Sequence, residues 1–281
     1  MLRKAYIEIT NVCNLRCAFC HGTARPPKFL SPADFRLFAE KIVPHTPYLY
    51  LHVLGEPLLH PDLDAILSVC DDLGARVTVV TNGTRIEKAA DTLLSHPCLY
   101  KIAFSLHAFD PNFPDGDPKA YLDPILSFAK RAAPKTIVLY KFWNGGAEGK
   151  SDAVLRQMLR EAYPRYEPTR GGFRLDENVF TDEADRFSWP DPAKDETLPR
   201  FCMALRDQIA VLSDGAVVPC CLDADGHIPL GNLYTDSVDE ILSSARARAL
   251  VRGFSEGKPT EPLCRSCGFA AARFGSEVRD S

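Results

Sequence analysis

The stretch Asn11–Gly22, NVCNLRCAFCHG, places three cysteines, Cys13, Cys17 and Cys20, within eight residues. A structural zinc site needs four ligands, and the neighbouring His21 rarely reaches the same metal as Cys20 because the two residues are adjacent. Iron–sulfur clusters are normally held by four thiolates, so a cluster held by three keeps one iron open. An open metal position is typical of a reactive centre. The spacing therefore favours a cluster that performs chemistry, with a zinc site or redox thiols as the alternative.

Composition limits the classes of partner. The chain has 281 residues and a net charge of −4, which argues against a nucleic-acid groove. Its N-terminus, MLRKAYIEIT, lacks the apolar core of a secretory signal, and no run of 18 apolar residues could cross a membrane. We therefore expect a cytoplasmic protein without nucleic-acid or membrane partners. Disulfides are disfavoured in the cytoplasm, so the clustered thiols among its ten cysteines point to metal ligands.

Strand-like and helix-like segments alternate through the first half of the chain. This alternation predicts a parallel sheet, and ligands of such folds bind at the carboxyl ends of the strands, where the three-cysteine loop lies. The number of strands favours an open partial barrel. The predicted strands are 5–10, 48–55, 76–83, 100–108 and 136–144, with a sixth in 166–180, and the predicted helices are 31–43, 60–74, 87–95, 121–132 and 151–161.

The domain organisation follows from a change in composition. Residues 1–165 are interpreted as the barrel core, 166–200 as a connector that faces the substrate, and 201–281 as a small α+β domain. In the small domain, a β-hairpin over 207–221 turns at Asp214-Gly215, and a helix spans 237–254.

The C-x3-C-x2-C spacing after a first strand resembles the radical S-adenosylmethionine (SAM) superfamily. The resemblance implies an α/β fold with a partial (β/α)6 TIM-like barrel, in which Cys13, Cys17 and Cys20 hold a 4Fe–4S cluster whose open iron chelates SAM. It also implies reductive cleavage of SAM to a 5′-deoxyadenosyl radical, which removes hydrogen from a substrate. An electron donor such as flavodoxin or ferredoxin is then a partner.

The same resemblance implies a set of cofactor-binding residues at the strand ends. Gly55-Glu56-Pro57 resembles the Gly-Gly-Glu motif that contacts the SAM amino group, although Leu54 stands at the first glycine position. Other interpretations are a turn at Glu56-Pro57, an ordinary turn at Asn82-Gly83 and a structural His107. The implied set is Phe19, Gly55, Glu56, Thr81, Asn82, Ser105, His107 and Tyr140.

The second cysteine group resembles the SPASM/Twitch extensions of radical SAM enzymes, which carry auxiliary iron–sulfur clusters. The shorter, Twitch-like form with one 4Fe–4S cluster fits the cysteine count, and the alternative is a zinc ribbon built from the same thiols. Cys221 is left over, because adjacent residues of a hairpin strand point to opposite faces. Cys70 and Cys98 are interpreted as packing residues. The expected auxiliary ligands are Cys202, Cys220, Cys264 and Cys267.

The substrate is expected to be a small polar molecule. The chain resembles queuine lyases in its length and in three stretches of sequence, LHVLGEPLLHPDL, the WP connector and the terminal CRSCGF. This resemblance implies that the reaction is C–N cleavage of queuine in queuosine salvage. The alternatives are an aminocyclitol dehydrogenase, a peptide-modifying SPASM enzyme, or a non-catalytic metal-binding or electron-transfer protein. Candidate substrate contacts are His21, His52, Lys141, Asn144, Asn178, Trp189 and Arg206, with Arg25, Arg170, Arg174 and Asp176 as further rim residues.

Overall fold

The computed structural model describes residues 2–194, Pro199 and 201–274. The chain forms two compact units. The hairpin unit comprises the described residues of 1–11, 23–54 and 187–281, and the thiol-loop unit comprises 12–22 and 55–186. No helix in the described part of the chain has the length and apolar character that a membrane crossing requires.

The secondary structure alternates strands and helices up to the middle of the chain. The strands are β1 Lys4–Ile7, β2 Tyr48–Tyr50, β3 Arg76–Thr81, β4 Leu99–Ser105, β5 Ile137–Gly145, β6 Glu167–Thr169, β7 Gly172–Asp176, β8 Val179–Asp185, β9 Gln208–Val211, β10 Ala216–Val218 and β11 Gly231–Asn232. The helices are α1 Pro32–Ile42, α2 Leu63–Asp72, α3 Ile86–Ser95, α4 Phe109–Asn112, α5 Pro118–Ala132, α6 Asp152–Ala162, α7 Val238–Leu242, α8 Ala245–Ser255, α9 Pro262–Arg265 and α10 Gly268–Phe274.

Parallel strands form the centre of each unit. In the thiol-loop unit the strand order is β3-β4-β5-β8-β7-β6, and β3, β4, β5 and β8 are parallel. In the hairpin unit the order is β11-β10-β9-β1-β2, and β1 pairs in parallel with both β2 and β9. The predicted α/β class with a central parallel sheet is confirmed.

The hairpin of the small domain also matches the prediction. Strands β9 and β10 pair antiparallel, and Gly215 at the turn has a φ of +86°, a conformation that favours glycine. Through β9 this hairpin extends the sheet of β1 and β2.

Two segments differ from the prediction. The sixth strand, expected in 166–180, is instead the antiparallel pair β6–β7, and the strand that pairs in parallel with β5 on the side away from β4 is β8. The turn requires Gly172, because a side chain there would collide with the backbone oxygen of Thr181. The first part of the predicted 166–200 connector therefore belongs to a sheet, while the domain boundaries remain a prediction.

The helix predicted over 237–254 is divided into α7 and α8. The Ser244 hydroxyl accepts a hydrogen bond from the backbone N–H of Ala247, which makes Ser244 the N-cap of a new helix. The N-cap predicted at Ser31 is present, since its hydroxyl accepts from the N–H of Asp34.

Candidate functional site

The three-cysteine loop is fixed to its surroundings by hydrogen bonds at both backbone and sulfur. The backbone N–H of Glu56 donates to the carbonyl of Val12 at 2.8 Å, just before Cys13. The N–H of Leu15 approaches the Cys13 sulfur at 3.4 Å. The Asn112 amide nitrogen lies 3.1 Å from the Cys17 sulfur. The loop therefore presents its thiols to N–H donors.

The three thiols influence one another. Burial raises the pKa of Cys13, and Glu56 and Cys20 raise it further. Burial likewise raises the pKa of Cys17, with contributions from Cys20 and Cys13. Metal-free Cys13 and Cys17 are therefore protonated near neutral pH, and metal binding to them must release protons.

Glu56 joins the thiol loop to the end of β3. Its carboxylate accepts hydrogen bonds from the Thr81 hydroxyl at 2.7 Å, from the backbone N–H of Asn82 at 2.7 Å and from the N–H of Leu58 at 3.0 Å. Burial raises its pKa, because the side chain is enclosed. A carboxylate has about four lone-pair sites, so three donors leave one for a cation such as a SAM ammonium.

Phe19 and His107 lie together at the end of β4. Their ring centroids are 4.9 Å apart, and the Arg186 guanidinium lies over the Phe19 ring at 5.6 Å. The His107 Nδ1 is 3.0 Å from the Lys141 carbonyl, and the N–H of Trp143 is farther from the same atom, at 3.4 Å. A carbonyl only accepts, so Nδ1 carries the proton and Nε2 is left as an acceptor. Burial lowers the pKa of His107 to about 4, so the ring is neutral at physiological pH.

A cavity of about 280 Å³ opens beside His107. Asn144 lines it, and its amide nitrogen donates to the Asp152 carboxylate at 2.6 Å. The Asn144 Oδ1 is buried and has no hydrogen-bond partner among the described residues. Asp110 and Arg186 also line the cavity.

Other predicted residues are placed away from this cavity. The Tyr140 ring is enclosed, and its hydroxyl is bonded to that of Tyr163 at 2.7 Å. Asn178 donates to the carbonyl of Ala133 at 2.9 Å. Three of the predicted arginines bond to other protein groups: Arg206 to Ser255, Arg25 to Glu8 and Arg174 to the Asp176 carbonyl. Aromatic contacts hold three further candidates: Lys141 lies over the Trp143 ring, His52 contacts the Tyr6 ring, and Trp189 packs against the apolar cluster that contains Tyr6 and Leu212. Of the rest, His21 and Arg170 are exposed, and Ser105 and Gly55 are half-buried.

The second cysteine group forms a cluster of thiols in the hairpin unit. Burial raises the pKa of Cys220, and its four companions Cys221, Cys202, Cys264 and Cys267 raise it further. The strand argument used to set Cys221 aside does not apply, because β10 ends at Val218 and both adjacent cysteines lie beyond it. Cys221 packs against the cluster of Tyr6 and Leu212.

Sequence reasoning missed the polar residues that support the site. Asn112, Asp110 and Asp152 lie in or beside short helices, and no motif marks them. Among the described residues, no three His, Cys, Asp or Glu side chains are arranged to hold a single metal ion.

Comparison with known protein families identifies both parts of the chain. Residues 7–139 match the radical SAM superfamily, and residues 202–268 match SPASM, an iron–sulfur cluster-binding domain. The first domain implies a 4Fe–4S cluster and SAM, and the second implies auxiliary iron–sulfur clusters. Cysteine thiolates are the ligands of such clusters, and N–H groups stabilise the charge on their sulfurs. Thiols of both groups lie beside N–H groups and therefore fit these clusters.

Individual relatives are distant. The chain is 24% identical over 269 residues to the sporulation killing factor maturation protein SkfB of Bacillus subtilis, a match that covers 85% of this chain and 64% of SkfB. It is 29% identical over 113 residues to a probable GTP 3′,8-cyclase of Pyrobaculum aerophilum, which covers 39% of this chain and 36% of the cyclase. The chain thus spans less than two thirds of these relatives.

Solved structures share the fold. BtrN in complex with AdoMet and 2-DOIA aligns with a TM-score of 0.59 at 19% identity, covering 95% of this chain and 93% of BtrN. Streptococcus suis SuiB aligns with a TM-score of 0.65 at 15% identity, covering 97% of this chain and 72% of SuiB. Together with the family matches, this identifies a radical SAM domain over residues 7–139 followed by a SPASM domain over residues 202–268.

Proposed function

We propose that Cys13, Cys17 and Cys20 hold the SAM-binding 4Fe–4S cluster. The observation that carries this proposal is the grouping of three mutually interacting thiols on one loop. The other cysteines of the same unit, Cys70 and Cys98, interact with each other instead. Cys13, Cys17 and Cys20 would hold a cluster that supplies one electron for the cleavage of SAM, and the resulting radical would remove hydrogen from the substrate. A one-electron donor such as flavodoxin or ferredoxin completes the reaction.

The protein side chains position SAM and exclude water. Glu56 holds the loop, the end of β3 and the turn before α2 in one arrangement, and its free lone pair accepts from the SAM ammonium. By the same resemblance, Phe19, Asn82 and Ser105 would line the site of bound SAM, with His107 at its border with the cavity. Tyr140 supports this rim from the interior through its bond to Tyr163.

The cavity beside His107 favours a small polar substrate. His107 offers a neutral Nε2 acceptor, and Asn144 carries a buried oxygen without a protein donor. Asp110 adds a carboxylate, of which one oxygen accepts from the N–H of Ser151. Acceptors of this kind bind hydroxyl and amino groups, and Lys150 and Arg186 on the same cavity bind acceptor groups, so the substrate is expected to present both.

The second thiol cluster is proposed to hold one auxiliary cluster through Cys202, Cys220, Cys264 and Cys267. With four thiolates the cluster is closed to SAM, so its function is electron relay, substrate orientation or support. The position of Cys221 makes it the competing ligand for Cys220.

Peptide modification is the second candidate. SkfB is a maturation protein, and one structure of SuiB contains a precursor peptide. A single peptide side chain with hydroxyl or amino groups satisfies the same acceptors. The queuine lyase prediction has no support from the relatives named above and stays a prediction, as does the choice between lyase and oxidoreductase.

Coupled product analysis tests the proposed function. Anaerobically reconstituted protein is reduced with dithionite in the presence of SAM and of queuine, an aminocyclitol, or a synthetic precursor peptide. We expect 5′-deoxyadenosine, and one compound should be consumed in proportion to it. If reduced protein containing both clusters yields no 5′-deoxyadenosine under any of these conditions, the protein is a non-catalytic electron carrier and the proposal is wrong.

A further inference from the structure

Asn112, in α4, lies directly against the thiol loop. Its side-chain amide makes three hydrogen bonds to the protein. Its Oδ1 accepts from the backbone N–H of Arg16 at 2.9 Å, and its Nδ2 donates to the carbonyl of Ala108 at 2.8 Å and to the sulfur of Cys17 at 3.1 Å.

These partners fix the orientation of the amide. The Ala108 carbonyl only accepts and the Arg16 N–H only donates, so a flipped amide would place like groups against each other at both positions. The N–H that points to sulfur is therefore set by two backbone groups rather than by the sulfur itself.

The short helix that carries Asn112 is anchored by aromatic packing. Phe109 is buried, and its ring centroid lies 4.8 Å from that of Tyr121. The Tyr121 hydroxyl in turn donates to the carbonyl of Asn82 at 2.8 Å. The donor is thus held by side chains that lie outside the thiol loop.

The N–H contact to Cys13 is weaker. The Asn82 amide nitrogen is 3.9 Å from the Cys13 sulfur and donates at 3.1 Å to the Oδ1 of Asn14. Of these two side-chain N–H contacts, the one to Cys17 is the closer.

We propose that Asn112 is a positioning residue that raises the reduction potential of the N-terminal cluster through an N–H···S hydrogen bond to Cys17. This inference rests on the proposal that Cys17 is a cluster ligand. Reduction adds one electron from an external reductant to the cluster and transfers no proton. The added negative charge is shared by the thiolate sulfurs, so a donor at sulfur stabilises the reduced state.

The test is an anaerobic redox titration of the reconstituted protein, followed by electron paramagnetic resonance. The cluster of interest is identified as the one whose signal changes when SAM is added. In Asn112→Ala we expect the equilibrium constant for reduction of this cluster to fall about tenfold, which lowers its reduction potential by about 59 mV for a one-electron couple. Asn112→Asp should shift it further in the same direction, because a carboxylate brings negative charge to the sulfur.

The controls separate this inference from the cluster assignment. Asn232→Asp makes the same chemical change in the hairpin unit, where the amide bonds only to backbone groups, and it should leave the potential unchanged. The auxiliary signal should not move in any Asn112 variant. If Cys17→Ala keeps the SAM-responsive signal at its original potential, the ligand assignment is wrong.

Two results would overturn the role of Asn112 alone. One is loss of the signal in Cys17→Ala together with unchanged potentials in both Asn112 variants. The other is the absence of a nitrogen coupling from the reduced SAM-responsive signal of wild-type protein that contains 15N-labelled asparagine. The proposed hydrogen bond predicts that this coupling is present. The measurement uses wild-type protein, so it remains possible even if the Asn112 variants fail to load iron.

Discussion

At the scale of single residues, burial and a few fixed hydrogen bonds determine which groups are available for chemistry. Glu56 is buried yet accepts three hydrogen bonds, which offset part of the cost of enclosing a carboxylate. His107 is kept neutral by burial, so it is suited to accepting a hydrogen bond from a substrate. The site therefore combines a buried carboxyl group and a neutral imidazole as hydrogen-bond acceptors.

The protonation state of His107 gives a direct prediction. Burial lowers its pKa to about 4, so its proton uptake should occur only as the pH falls through that region, well below the usual value of 6.5. Labelled-histidine NMR of the protein should show the imidazole signal of His107 still neutral at pH 5. His107→Gln identifies the signal by removing it. A His107 signal that titrates near pH 6.5 would contradict the proposed neutral acceptor.

The ion pair between Arg25 and Glu8 gives a second prediction. The two side chains meet at 2.6 Å, with Glu8 fully buried, and Glu8 also accepts from the N–H of Ser213. Arg25→Ala should lower the free energy of unfolding by about 2–3 kcal/mol, because a buried carboxylate loses its charged partner. Urea unfolding under anaerobic conditions measures the change.

A matched control is the exposed pair of Arg131 and Asp91, which meet at 2.8 Å. Arg131→Ala should change the unfolding free energy by less than about 0.5 kcal/mol, because exposed pairs contribute little. Equal effects at the two arginines would show that the buried pair has no special role.

The residues of the site differ in how far sequence could predict them. The cysteines and Glu56 could be proposed from sequence because their spacing and their position after a strand mark them, and their roles stay predictions. Asn112 and Asp152 were not, because their importance comes from contacts with residues that are distant in sequence or across a loop. Tyr140 follows the alternation of β5, which places its ring inside the unit rather than on the rim.

At the scale of secondary structure elements, capping and glycine geometry decide where segments end. Ser31 and Pro32 at the start of α1 were predictable because both act locally. The break between α7 and α8 was missed, because the apolar periodicity continues across Ser243 and Ser244. The β6–β7 pair was also missed, since its charged and glycine-rich sequence has no clear period.

Ser244 allows the break to be tested. Ser244→Ala removes the hydroxyl that accepts from the N–H of Ala247, and it should lower the free energy of unfolding by about 1 kcal/mol. Ser243→Ala is the neighbouring control, expected within about 0.5 kcal/mol of the parent protein. A larger loss at Ser243 in urea unfolding would contradict the assignment of the N-cap.

At the scale of the whole molecule, each of the two units contains one group of thiols that we propose as cluster ligands. The thiol-loop unit holds the three cysteines of the loop together with the separate pair Cys70 and Cys98, and the hairpin unit holds five cysteines. The alternation of strands and helices predicted the α/β class, and the cysteine spacing predicted both domains. The substrate was not predictable, because the acceptors of the cavity follow from folding rather than from a motif.

Iron content follows from this arrangement. Reconstituted protein should hold about eight irons as two four-iron clusters, and replacement of Cys13, Cys17 and Cys20 by alanine should leave about four. Zinc in place of iron at either group after anaerobic purification, detected by elemental analysis, would contradict that cluster assignment.

The most direct test of the radical SAM assignment is 5′-deoxyadenosine formation by the reduced protein and by the variant that lacks Cys13, Cys17 and Cys20. We predict that the parent protein cleaves SAM and that the triple variant, with its auxiliary iron retained, forms no 5′-deoxyadenosine. Cleavage at the parental rate by the triple variant would contradict the assignment of the three-cysteine loop as the SAM centre.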